Sequence, residues 1–232
     1  MNSYLIPRHK VFISYYHQDD KFYKDQLIEK QEYNPSKYAW QSIFDDYSVN
    51  DNDIDDTNLT DEQVRQVIRD DYICGATVLI LLCGAHTKER KFIDWELHAA
   101  MFNTEKNPKL GILVINLPSV KNMNGIYAGE NEEKKVISPY CNNWVELESR
   151  AELEEAYPYL PSRITDNYES SINQIDIVPI TIVDWDTISS DNEKLKYLID
   201  NAYKRGNNKK LHYNHSAPLR ARNTRNQNRH YW

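Results

Sequence analysis

The side chains able to do chemistry fall in three short stretches. Ser14-Tyr15-Tyr16-His17-Gln18-Asp19-Asp20 follows one β-rich run, and Asp45-Asp46 follows a second. Gly84-Ala85-His86-Thr87 follows a third and leads to Phe92 and Glu96, which stand one turn apart on one side of a helix. Tyrosines, acids and a glutamate would converge if these stretches met at one crevice. Neither G-x-G-x-x-G nor G-x-x-x-x-G-K-[ST] occurs, so the glycine loops that cradle phosphates are absent. Such a crevice can still bind a nucleotide through aromatic stacking and through amides at helix N-termini.

Each residue also has a plainer role to weigh. Tyr15 and Tyr16 point opposite ways on a strand, so at most one faces the crevice and the other reads as core. His17 and His86 lie in loops, where histidines are commonly surface residues. Asp19-Asp20 reads as the N-cap of a helix. The acidic run from Asp45 to Asp56 lacks the glycine and terminal glutamate of an EF-hand and reads as a solvated loop. A receiver domain would need an acceptor aspartate ending the third strand, which instead ends in Cys83-Gly84. His212-x-x-His215 has no further ligands around it. Cys74, Cys83 and Cys141 are far apart, so neither a disulfide framework nor a zinc site fits. No metal site is expected, and a reducing cytoplasm is the expected location.

The elements that must position these residues alternate. Strands are predicted at 10–16, 42–45, 77–83, 110–117 and 177–183, the last demoted toward an edge by Pro179. Helices are predicted at 19–32, after a Thr60/Gln63 capping box, at 89–103, and after a Ser190/Glu193 capping box, with Gly206 as the final stop. Thr77–Cys83 and Leu110–Leu117 are continuously apolar, as strands buried on both faces are. The pattern predicts an α/β, flavodoxin-like fold: a five-stranded parallel sheet, order 2-1-3-4-5, with helices on both faces. Ligands of such sheets bind beyond the carboxyl ends of strands 1 and 3, where the order reverses. Residues 1–206 form the expected domain, with 118–175 as an irregular insertion, and 207–232 as a mobile basic tail.

The chain has 232 residues, 28 Lys+Arg and 35 Asp+Glu, which suits one domain with an appendage. Mean hydropathy is −0.77, and no apolar run approaches the ~20 residues of a membrane span. The start, MNSYLIPRHK, lacks the apolar core of a signal peptide. Residues 201–232 hold eight Lys/Arg and no acid, leaving a net charge of −15 on the first 200 residues. That acidic body argues against a nucleic-acid surface. Contact of the tail with an acidic neighbouring subunit, or with RNA, is a minor reading.

Lys10-Val11-Phe12-Ile13-Ser14-Tyr15, then Asp19, resembles the opening strand and loop of TIR and TIR-like domains. Leu81 to Thr87, running through Arg90 to Phe92-Ile93-Asp94-Trp95-Glu96-Leu97, resembles their third strand and following helix. The nearest likeness is to the bacterial TIR-like group of Thoeris antiphage defence, over about residues 10–117. This resemblance implies an enzyme with NAD⁺ as substrate and no other cofactor. It would cleave the nicotinamide–ribose bond and make a cyclic or conjugated ADP-ribose signal that activates an effector protein. A phage-derived trigger and a homo-oligomer belong to the same expectation. Glu96 falls on the family's catalytic glutamate; Ser14, Tyr15, Tyr16, His17, Asp45, His86 and Phe92 are the expected substrate-binding residues. The chain departs from the family at Phe92, where a tryptophan is usual, and carries Trp95 directly before Glu96. Two other readings stand beside this one: a non-catalytic TIR-like interaction module, and a nucleoside deoxyribosyltransferase-like enzyme.

Overall fold

The computed structural model describes residues 7–48, 59–105, 107–120, 131–139, 147–214, 216–217 and 219. Five parallel strands form the sheet: β1 (Lys10–Ser14), β4 (Asp45–Asp46), β5 (Val78–Cys83), β6 (Gly111–Asn116) and β7 (Thr181–Asp184). Their spatial order is β4-β1-β5-β6-β7. Counting only these strands in chain order, that is 2-1-3-4-5, as expected. The remaining two, β2 (Gln31–Asn34) and β3 (Ala39–Ser42), form a separate antiparallel hairpin.

Side chains of the central strands alternate between two cores. Leu79, Leu81 and Cys83 of β5 enter one cluster; Val78, Ile80 and Leu82 enter the other. All six are fully buried, each contributing roughly 1.5–3 kcal/mol for a side chain of the Val/Leu/Ile kind. This explains the unbroken apolar run, since both faces are covered. The first cluster packs against α2 (Asp61–Val67), α3 (Lys91–Met101), α5 (Arg150–Ala156) and α6 (Ser162–Asn173). The second packs against α1 (His17–Ile28), α7 (Trp185–Ser189) and α8 (Asn192–Gly206).

Several local expectations change. The first helix ends at Ile28, because the next residues build the hairpin. Ser42 lies in that hairpin, and only Asp45–Asp46 joins the sheet. The Thr60/Gln63 capping box is formed, and the helix widens into a π-turn over Ile68–Tyr72. The cap of α8 is Asp191, which accepts from the Lys194 amide at 3.0 Å, in place of Ser190. The described residues of 118–175 hold three helices: α4 (Asn131–Ile137), α5 and α6. The tail does not leave the body at residue 207. The buried Tyr213 hydroxyl donates to the Leu110 carbonyl at 3.0 Å, and the Asn214 amide donates to Asn167 Oδ1 at 2.8 Å. Residues 220–232, Cys141, His215 and most of the acidic run to Asp56 lie outside the described residues. Among the described residues, no helix is long and apolar enough to cross a membrane, and no His/Cys/Asp/Glu group could hold a metal ion.

Gly206 is the last helical residue, and its role is proximity. A Cβ there would lie 2.3 Å from the Gly111 amide nitrogen, and one on Gly111 would lie 2.0 Å from the Ala202 carbonyl oxygen. Backbone thus meets backbone where α8 crosses the start of β6. Gly111→Ala should cost about 2–4 kcal/mol through forced separation of these elements, read as a lower urea midpoint.

Candidate functional site

Ser14 ends β1 and is 1% exposed. Its hydroxyl donates to Glu96 Oε2 at 2.6 Å, across 82 residues of chain. Glu96 sits in the second turn of α3 and is half-buried. Desolvation by burial raises its pKa to about 7, with the Ser14 hydrogen bond pulling the other way. The carboxylate therefore lies where strands β1 and β5 part, at the carboxyl edge of the sheet, with one hydroxyl fixing its orientation.

Helix α3 is anchored near both ends. Arg163 of α6 makes a bidentate pair with Asp94, Nε to Oδ1 at 2.7 Å and Nη2 to Oδ2 at 2.9 Å, and both residues are essentially unexposed. Breaking such a pair strands a buried charge. At the other end, buried Arg69 donates to the carbonyls of Ala99, Phe102 and Asn107, orphan acceptors at and beyond the helix terminus. Glu96 lies between these two anchors.

The other expected residues divide. Tyr16 packs on the α3 side of the sheet, whereas Tyr15 packs on the opposite side. The Tyr15 and His17 rings are 4.2 Å apart, so His17 accompanies Tyr15. Phe92 precedes Glu96 by one turn and meets Trp95 edge to face, centroids 5.2 Å apart. His86 is exposed; its Nδ1 lies 3.5 Å from Glu89 and its Nε2 3.8 Å from Asp19, with its ring edge-on to Tyr16 at 6.4 Å. Asp45 does not reach the edge that carries Glu96. It pairs in register with Lys10 and forms an ion pair with Arg8, four residues or about 13 Å before Ser14 along the strand. The residue that arrives beside β1's carboxyl end is Ser48, whose hydroxyl accepts from the Ile13 amide at 3.0 Å.

Asp20 is not an N-cap. The cap position is Tyr16, without a side-chain cap, and Asp20 lies in the first turn. Its carboxylate is buried against Gly84, where an added Cβ would come within 2.5 Å of Oδ1. Desolvation and the neighbouring Asp19 raise its pKa to about 6. Sequence reasoning also missed Arg90, whose guanidinium carbon lies 3.6 Å from the centre of the Tyr16 ring, and the Asp94–Arg163 anchor. Spacing carries no signal for either contact, because each joins segments distant in the chain.

Residues 12–122 match the family model described as Thoeris protein ThsB, TIR-like domain. No curated protein and no solved structure matches the chain.

The raised pKa has a sign that stability can report. The native state holds the Glu96 proton more tightly than the unfolded chain, so ionisation weakens folding as pH rises from 4.5 through about 7. Glu96→Gln removes that burden. It should raise Tm by roughly 5–10 °C at pH 8 and leave it unchanged at or below pH 4.5, the ordinary glutamate value, read by calorimetry at both pH values.

Proposed function

Taking as premise that the chain is a TIR-like protein of the Thoeris antiphage-defence type, we propose that it processes NAD⁺ by cleaving the bond between nicotinamide and ribose. The observation that carries this reading is the Ser14–Glu96 hydrogen bond, which holds a half-buried carboxylate at the sheet's carboxyl edge. Nicotinamide in NAD⁺ is already cationic. When the glycosidic bond breaks, its electron pair leaves with the ring, which departs neutral, so no general acid is needed. The positive charge passes to the ribose in an oxocarbenium-like state. A carboxylate fixed beside that sugar can accept its hydroxyl hydrogen bonds and stabilise the developing charge. Attack by water would give ADP-ribose and a proton. Attack by a second nucleophile of the same dinucleotide, with water excluded, would give a cyclic product. A cyclic or conjugated ADP-ribose of this kind is the signal proposed to reach an effector protein.

Ionised Glu96 is the working form, and a pKa near 7 makes its supply sensitive to pH. Activity should rise with pH to a plateau, with a midpoint about 7 in the free enzyme's profile. The bound cationic ring favours the ionised form, so the midpoint should fall under saturating NAD⁺. The direct test incubates the protein with NAD⁺, with and without phage lysate, and follows nicotinamide by chromatography. Glu96→Ala should lower release by about 100-fold or more. Silence in every condition, or undiminished release from Glu96→Ala, overturns the reading.

A second reading, an interaction module without catalysis, has its own support. Tyr33, Tyr38 and Trp40 on the β2–β3 hairpin are 46%, 86% and 67% exposed. Scattered apolar residues are ordinary, but three aromatics on one hairpin are suited to a protein contact. On this reading Glu96→Ala leaves phage resistance intact while Tyr38→Ser with Trp40→Ser abolishes it; the enzymatic reading requires Glu96→Ala to abolish it.

A further inference from the structure

The end of β1 and the loop after it make two contacts with α3 and its N-cap. One is the Ser14–Glu96 hydrogen bond; the other is the stack of Arg90 on Tyr16. They join the same two segments like successive rungs, the first in the second turn of α3 and the second at its mouth. Six residue steps separate Arg90 from Glu96, about 9 Å along the axis.

Arg90 is half-buried, and its Nε is buried with no hydrogen-bond partner. No carboxylate lies within ion-pair distance of it among the described residues, although the chain carries 35 acidic groups. The neighbouring acids are engaged elsewhere. Asp94, the acid in the first turn of α3, is held by Arg163, while Asp19 and Glu89 approach His86. The Tyr16 ring is itself fixed, its hydroxyl donating to Gln18 Oε1 at 2.6 Å. A guanidinium lying over a fixed ring keeps its plane and presents its N–H edge outward, the geometry that meets phosphate oxygens in pairs. Arg90 is also the N-cap residue of α3, which has no side-chain cap, so the first-turn amides point toward the same place.

We propose that Arg90, seated on Tyr16, binds the diphosphate of the dinucleotide whose nicotinamide ribose lies at Glu96. This assignment rests on the NAD⁺ reading and deepens it. Arg90 would be a binding and specificity residue: it distinguishes a nucleoside diphosphate from a nucleoside, and takes no part in bond cleavage.

The test titrates ADP-ribose and, separately, adenosine into the full-length protein by calorimetry, using wild type, Arg90→Gln and Arg90→Lys. Arg90→Gln should weaken ADP-ribose binding by about 10- to 50-fold, the worth of one charge-assisted hydrogen-bonded pair, and leave adenosine unchanged. Arg90→Lys keeps the charge but loses the fork, and should fall between. With NAD⁺ as substrate, Arg90→Gln should raise KM by the same factor and leave kcat nearly unchanged. A thermal midpoint equal to wild type guards against misfolding; where Arg90→Gln fails that check, Arg90→Lys carries the comparison. Unchanged ADP-ribose affinity in the Arg90 variants overturns the assignment even if NAD⁺ is cleaved, and so does a wild type that binds no ADP-ribose. Loss of ADP-ribose affinity in Arg90→Gln alongside an NAD⁺ that is never cleaved would sink the enzymatic reading and leave the diphosphate site standing.

Discussion

One carboxylate with one hydroxyl partner governs the reading of this molecule. Full exposure would leave Glu96 an ordinary surface acid, ionised and freely rotating. Complete encirclement by donors would hold it ionised far below neutrality. Partial withdrawal from water with a single donor puts it between these limits, close to neutral pH. The sheet sets that balance. Parallel strands β1 and β5 end side by side, and the order of connections reverses there. The helix after β5 must then cross the end of β1, bringing its second turn over Ser14.

One of the two anchors of that helix comes from beyond the segment that carries the family likeness. The match ends at residue 122, yet Arg163, which clamps Asp94, lies in the region after it. Buried ion pairs add little net stability on average, but they are intolerant of misplacement. Asp94 precedes Glu96 by two residues, so the clamp fixes the rotation of the helix at the turn that matters. The same region is secured elsewhere by buried Glu133, which accepts from Arg205 Nη1 at 2.6 Å and from the Thr181 hydroxyl at 2.5 Å. Helix α6 thus holds one side of α3 while the sheet holds the other.

How legible this was depends on the range of the interaction concerned. The apolar runs of β5 and β6 reveal a sheet covered on both faces, because burial on two sides removes any alternation. Strand order followed from the alternation of elements, and Glu96 from a motif on a single helix. Asp45 was misplaced because β4 is only two residues long, and its register comes from a ladder that its own sequence does not encode. The hairpin was missed because its turn uses Asn34-Pro35-Ser36-Lys37 and a left-handed Tyr38, φ 49°, where no glycine marks the bend. Helix α6 was missed because its buried face includes Arg163, Asp166 and Asn167, polar groups whose partners lie on other elements. Contacts of that kind, like Tyr16 with Arg90, are set by tertiary structure and leave no local periodicity.

The glycine contact between β6 and α8 has a mechanical meaning. Two main chains pressed together have no rotamers to exchange and no slack to take up, so this junction has a single seating. The half of the molecule built on α8 behaves as a fixed abutment. Any yielding when a guest molecule enters must be taken up in the opposite layer, where side chains and the Asp94–Arg163 clamp, with their softer restoring forces, form the joints.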